Sequence, residues 1–83
     1  MTMITRQLVG YDPNTHRAAF EFYIPPDRWN DVLSLVPNNK KDPYHIYNYA
    51  VDISVANDIL GMAGEKTRVA HNLNYFLEFE TRD

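Results

Sequence analysis

The side chains able to attack, abstract a proton or ligate a metal are few in this sequence, and their spacing suits none of the familiar chemistries. Cysteine is absent, and the serines are Ser34 and Ser54. Ser34 falls inside a predicted helix and Ser54 in the first turn of another, so neither sits on the strand-to-helix elbow that activates a serine nucleophile. His16, His45 and His71 stand far apart in sequence. No His-x-x-x-His or His-Glu-x-x-His spacing brings two of them to one helix face, as zinc sites require. Gly61 and Gly64 form no phosphate-cradling fingerprint. Glu78 and Glu80 lie two apart on a predicted strand and therefore on one face, with Glu21 expected on a neighbouring strand. Two close carboxylates do acid–base work only where burial drives their pKa values apart. The same spacing serves a solvated strand face, or a face that grips a basic partner. A catalytic cleft is not expected in 83 residues. The expectation is a chain that is not an enzyme and uses neither cofactor nor metal.

Tyrosine is the unusual feature. Tyr44, Tyr47 and Tyr49 follow Lys40-Lys41 closely. Rings beside lysines can stack on single-stranded nucleic acid, can anchor a protein interface at low entropic cost, or can simply pack a sheet. Asp42 and Asp52 flank the cluster, and the net charge is −3, from 11 acids against 8 bases. A phosphate-binding surface needs a positive stripe, so no nucleic-acid partner is expected. A basic protein partner is compatible with mild acidity.

The elements that must position these residues fit one domain spanning residues 1–83, since a chain this short supports a single core. Its 45% hydrophobic and 13% aromatic content is that of a globular chain. Without cysteine there is neither disulfide nor thiolate site, which fits a cytoplasmic protein. No run of about 18 apolar residues is present to span a membrane. The opening Met1-Thr-Met-Ile-Thr5 resembles the start of the β-galactosidase fragment of cloning vectors, and little function is expected of it.

Ile4 to Tyr11 reads as a strand, closed by the turn former Asp12-Pro13-Asn14-Thr15. His16 to Ile24 alternates, with Ala18, Phe20, Phe22 and Ile24 on one face and Arg17, Ala19, Glu21 and Tyr23 on the other. The two strands should form a hairpin. Pro25-Pro26-Asp27 opens a helix whose stripe is Trp29, Val32, Leu33 and Val36, stopped by Pro37. A polar loop, Asn38 to Pro43, precedes a third strand expected around His45 to Ala50. Asp52 then caps a helix with Val55, Ala56, Ile59, Leu60 and Ala63 on one side and Gly64 at its end. After an irregular Glu65 to Asn72, the last strand directs Tyr75, Leu77 and Phe79 one way and Phe76, Glu78 and Glu80 the other. The order β-β-α-β-α-β predicts an α+β fold: a mostly antiparallel four-stranded sheet with two helices on one face. The second face stays open. The expected partner-binding residues are Glu21, Tyr23, Phe76, Glu78 and Glu80 on that face, and Tyr44 and Tyr47 of the tyrosine cluster.

Leu8-Val9-Gly10-Tyr11-Asp12, an apolar strand ending in Pro, Asp42-Pro43-Tyr44 and Asn74-Tyr75-Phe76-Leu77-Glu78 together resemble a group of small bacterial proteins suspected to be immunity proteins of polymorphic toxins. The resemblance runs from Leu8 to Glu80. It implies a cytoplasmic, non-catalytic inhibitor that binds a cognate toxin domain, often a basic nuclease, and blocks it. Two other readings are a structural or regulatory module that self-associates as a homodimer through its sheet edge or tyrosines, and a phage-borne inhibitor of a host enzyme.

Overall fold

A computed structural model describes residues 3–82 and divides them into β1 (Met3–Tyr11), β2 (Ala18–Tyr23), a 3-10 turn (Pro26–Arg28), α1 (Trp29–Leu33), β3 (Tyr49–Val51), α2 (Ile53–Met62) and β4 (Asn74–Arg82). The strands form one antiparallel sheet in the order β2-β1-β4-β3. The expected α+β class and hairpin are both present. Met1 and Thr2 lie outside the described residues, whereas Met3, Ile4 and Thr5 pair with Arg82, Thr81 and Glu80 and so belong to β1.

Local chemistry accounts for each joint. In the β1–β2 turn, Asp12 Oδ1 accepts from the amides of Asn14 (2.7 Å) and Thr15 (3.4 Å), while its carbonyl accepts from His16 N (2.8 Å). His16 takes up the left-handed conformation at φ 60°. The register slips between Gly10 and Tyr11, so Gly10 faces Phe20 but Tyr11 faces Ala18. That bulge moves Ala18 away from the Phe20–Phe22 row where strict alternation would put it. Asp52 caps α2 by accepting from Val55 N at 2.8 Å, and Gly64, at φ 85°, ends it.

α1 is shorter than its apolar stripe suggests. Beyond Leu33 the chain tightens into i→i+3 bonds, Leu35 N to Val32 O and Val36 N to Leu33 O, before Pro37. The stripe survives because Val32 and Val36 are both buried. The third strand is displaced from the expected His45–Ala50 to Tyr49–Val51. Asp42 accounts for this. Its carboxylate takes the amides of Ile46 and Tyr47, each at 2.8 Å, and His45 stands at φ 54°, so the backbone there is committed to a loop.

Leu8, Ile24, Tyr75 and Leu77 project from one face of the sheet and meet Val32, Val36, Ala56, Ile59 and Leu60 from the helices. Gly10 lies on this face opposite Tyr75. A Cβ there would stand 2.6 Å from Tyr75 Cε1 and 3.1 Å from Leu73 Cδ1. The Tyr75 ring is buried, and its hydroxyl is tied to Ala70 O at 2.7 Å, so it has little room to yield. Gly10→Ala is therefore expected to destabilise by about 1–3 kcal/mol, as overpacked cores do. Urea unfolding would check this; a neutral Gly10→Ala would mean that Tyr75 can move.

Candidate partner-binding site

Alternation along the strands sends the remaining residues to the face away from the helices. The row on β1 is Thr5, Gln7, Val9 and Tyr11. The row on β4 is Asn74, Phe76, Glu78 and Glu80. β2 adds Glu21 opposite Val9 and Tyr23 opposite Gln7, and β3 adds Ala50 opposite Phe76. Glu21, Tyr23, Phe76, Glu78 and Glu80 thus share one surface, and no helix among the described residues covers it. Tyr23 is 54% exposed. Val9, by contrast, is 1% exposed although it belongs to this face and not to the helix-side core. Its shield is the neighbouring side chains.

The face has an internal order. Tyr11 Oη donates to Glu78 Oε2 at 2.5 Å, and the Tyr11 ring meets Phe76 edge-on at 5.7 Å between centroids. The bond to Glu78, then burial and the charges of Glu78 and Glu21, push the Tyr11 phenol up to about 12. Glu78 is thereby held in place by a neutral donor. Gln7 Nε2 donates to Glu80 Oε2 at 3.4 Å, while Gln7 Oε1 and Thr5 Oγ1 are buried without a partner.

Linkage fixes the pH at which the Tyr11–Glu78 bond acts. The folded phenol holds its proton more tightly than the unfolded one, whose ordinary value is 10.0. The bond therefore contributes fully below about pH 10 and is lost as pH rises toward 12. Glu78→Gln keeps an acceptor but removes the charge. In a spectrophotometric tyrosine titration it is expected to bring the raised phenol part of the way down, since burial and an acceptor remain. An unchanged titration curve would show that Glu78 does not hold Tyr11.

The expected opposition of Glu21 with the β4 carboxylates requires a correction. β1 lies between β2 and β4, so Glu21 stands about 10 Å across the sheet from the β4 row. The carboxylates are spread over the face, an arrangement suited to steering a cationic surface and not to sharing a proton.

Tyr44 and Tyr47 are not brought to this face. They project from a loop between α1 and β3 that is built around Asp42, a residue only 3% exposed. Besides the two amides, the Asp42 carboxylate accepts from Tyr49 Oη at 2.6 Å. Desolvation alone would raise the Asp42 carboxyl. The Tyr49 phenol, the amides of Tyr47 and Ile46 and the nearby His45 outweigh it and bring the pKa below its ordinary value. Arg6 holds the loop from the helix side of the sheet, donating to the carbonyls of His45 and Tyr44 at 2.9 Å each. Its guanidinium lies against the rings of Trp29 (5.2 Å) and Phe79 (4.9 Å). Nε2–H of His45 donates to Val36 O at 2.6 Å. Tyr49, the third member of the sequence cluster, is a structural residue of β3. Tyr44 and Tyr47 are 73% and 52% exposed.

Sequence reasoning missed Tyr11, Gln7 and Val9 on the open face. The alternation of Thr5, Gln7, Val9 and Tyr11 against Arg6, Leu8 and Gly10 was the available signal. A cleft of about 410 Å³ continues from Phe76 and Ala50 past Asp52, His71 and Asn74. One Asp52 oxygen is already engaged as the α2 cap. Among the described residues, no group of three or more His, Asp or Glu is placed to hold a metal ion, and no helix is long and apolar enough to cross a membrane. Set against known protein families, curated proteins and solved structures, the chain matches none.

Proposed function

We propose that this chain is a non-catalytic binding module that grips a basic protein with its open sheet face, in the role of a cytoplasmic immunity protein neutralising a cognate toxin domain. The observation that carries the reading is the shared face of Tyr23 and Phe76 with Glu21, Glu78 and Glu80. A face meant only for water has no need of large rings. A docking face needs both: rings to supply buried area and carboxylates to steer and orient a cationic surface. The Tyr11–Glu78 bond supports it further, because a preordered carboxylate loses less entropy on contact.

Site-specific photocrosslinking in cells tests the reading. A photoreactive residue at Tyr23 is expected to form an adduct with another protein, and one at Met62, exposed on the helix side, is not. Adding Glu21→Lys should abolish the Tyr23 adduct, because Glu21 is exposed and its reversal leaves the fold intact. Equal adducts from both positions, or an adduct indifferent to Glu21→Lys, would refute the face. For the immunity role, the chain should restore growth to cells poisoned by the protein that the Tyr23 adduct captures. Failure to do so while the Tyr23 adduct persists would leave a binding module of another kind.

A further inference from the structure

Resting on the reading of the open face as a binding surface, we infer that one occupant of that face is a second copy of this chain, docked head to tail through its Lys40–Tyr47 loop. Tyr44, Ile46 and Tyr47, 73%, 51% and 52% exposed, stand within four residues of one another. They do not dangle. Asp42 fixes the amides of Ile46 and Tyr47, and Arg6 fixes the carbonyls of Tyr44 and His45. A loop fastened from both sides presents its apolar side chains in one arrangement, which lowers the entropy lost on docking.

The charge of the loop decides what fits it. Lys40 and Lys41 are exposed, whereas the one acidic residue there, Asp42, is buried with both oxygens engaged. Arg6 adds a half-buried positive charge beneath. The loop is thus positive and aromatic, and the open face is carboxylate-rich and aromatic. The two surfaces complement each other in sign and in apolar content. The loop is tied to the helix side of the sheet through Arg6, so a single molecule cannot close the contact upon itself. Between copies the contact is heterologous: each copy that docks leaves one loop and one face unused, and association continues with concentration. Pairing through the β2 edge would differ, since a two-fold strand pair closes as a dimer and does not depend on these charges.

Sedimentation equilibrium on the intact chain and two variants distinguishes these cases. The loop variant is Lys40→Glu with Lys41→Glu; the face variant is Glu21→Lys with Glu78→Gln. At millimolar concentration and low salt, the wild type should exceed its monomer mass of 9.7 kDa progressively, and molar salt should return it to monomer. Each variant alone should remain monomeric. Their equimolar mixture should give a one-to-one dimer and nothing larger, because only one intact loop and one intact face remain to meet. That dimer also shows that both variants are folded. A wild type monomeric throughout would overturn the inference, as would variants that associate like the wild type or a mixture that stays monomeric. A monomeric wild type whose Tyr23 position still crosslinks to another protein would remove self-docking alone and leave the open-face reading standing.

Discussion

Asp42→Ala is expected to release the loop between α1 and β3 while leaving the sheet and helices folded. The carboxylate is the common acceptor for Ile46 N, Tyr47 N and Tyr49 Oη. Removing it leaves those donors without a partner in a place where the side chain itself was buried. Hydrogen exchange should show the amides of Ile46 and Tyr47 losing their protection, while those paired in β1 and β4 keep theirs. Asp42→Asn should fail nearly as badly. Its amide has one acceptor oxygen where two are used, and its NH2 group would face a backbone N–H. Acid should reproduce the effect. The folded carboxyl lies below the ordinary 3.8, so it resists protonation. Its contribution is whole above about pH 4 and disappears as pH falls through the folded value. Because the backbone at Ile46 and Tyr47 is held by this residue, Asp42→Ala should also weaken head-to-tail docking. Protection unchanged in Asp42→Ala would mean that Arg6 holds the loop alone.

What the sequence revealed of the fold divides along local and non-local physics. The turn at Asp12, the cap at Asp52, the stop at Gly64 and the alternation from Phe20 to Ile24 are governed by residues within a few positions of each other, and each is where the sequence put it. The third strand was misplaced because Tyr44 to Val51 has strong strand propensity, and propensity does not register a buried carboxylate upstream. Asp42 reads in sequence as an ordinary turn aspartate beside Pro43. Only its burial reveals that it claims the backbone that would otherwise extend β3.

The open face was legible for the same local reason, and its limits are non-local. Period-two alternation in β2 and β4 placed Glu21, Tyr23, Phe76, Glu78 and Glu80 on one side without any knowledge of strand order. Strand order then separated Glu21 from the β4 acids, since β1 runs between them. Tyr44 and Tyr47 stood out by composition with no face assigned, and Arg6 draws the backbone at Tyr44 and His45 to the helix side. No pattern near residue 44 announces an arginine at residue 6. The result is two aromatic surfaces of opposite charge.

Leu8 and Val9 offer the sharpest test of the one-sided core, because they are adjacent in β1, point to opposite faces and are 0% and 1% exposed. Burial alone would rank them as equals. Their surroundings differ. Leu8 is enclosed by the sheet and both helices, where backbone and packed neighbours cannot close a void. Leu8→Ala should cost about 3–5 kcal/mol, a large part of the roughly 5–10 kcal/mol that holds a small domain. Val9 is covered by side chains of the open face, the exposed Glu21 opposite it on β2 and the half-buried Phe76 opposite it on β4. These can settle into the space left by the lost methyl groups, so Val9→Ala should cost only about 1–2 kcal/mol. Denaturant unfolding of the two variants side by side measures the gap. Equal losses would make the Val9 face a second rigid core, and a rigid core offers no site for a partner. A small loss at Val9 with a large one at Leu8 is what a sheet packed on one side, and free to dock on the other, requires.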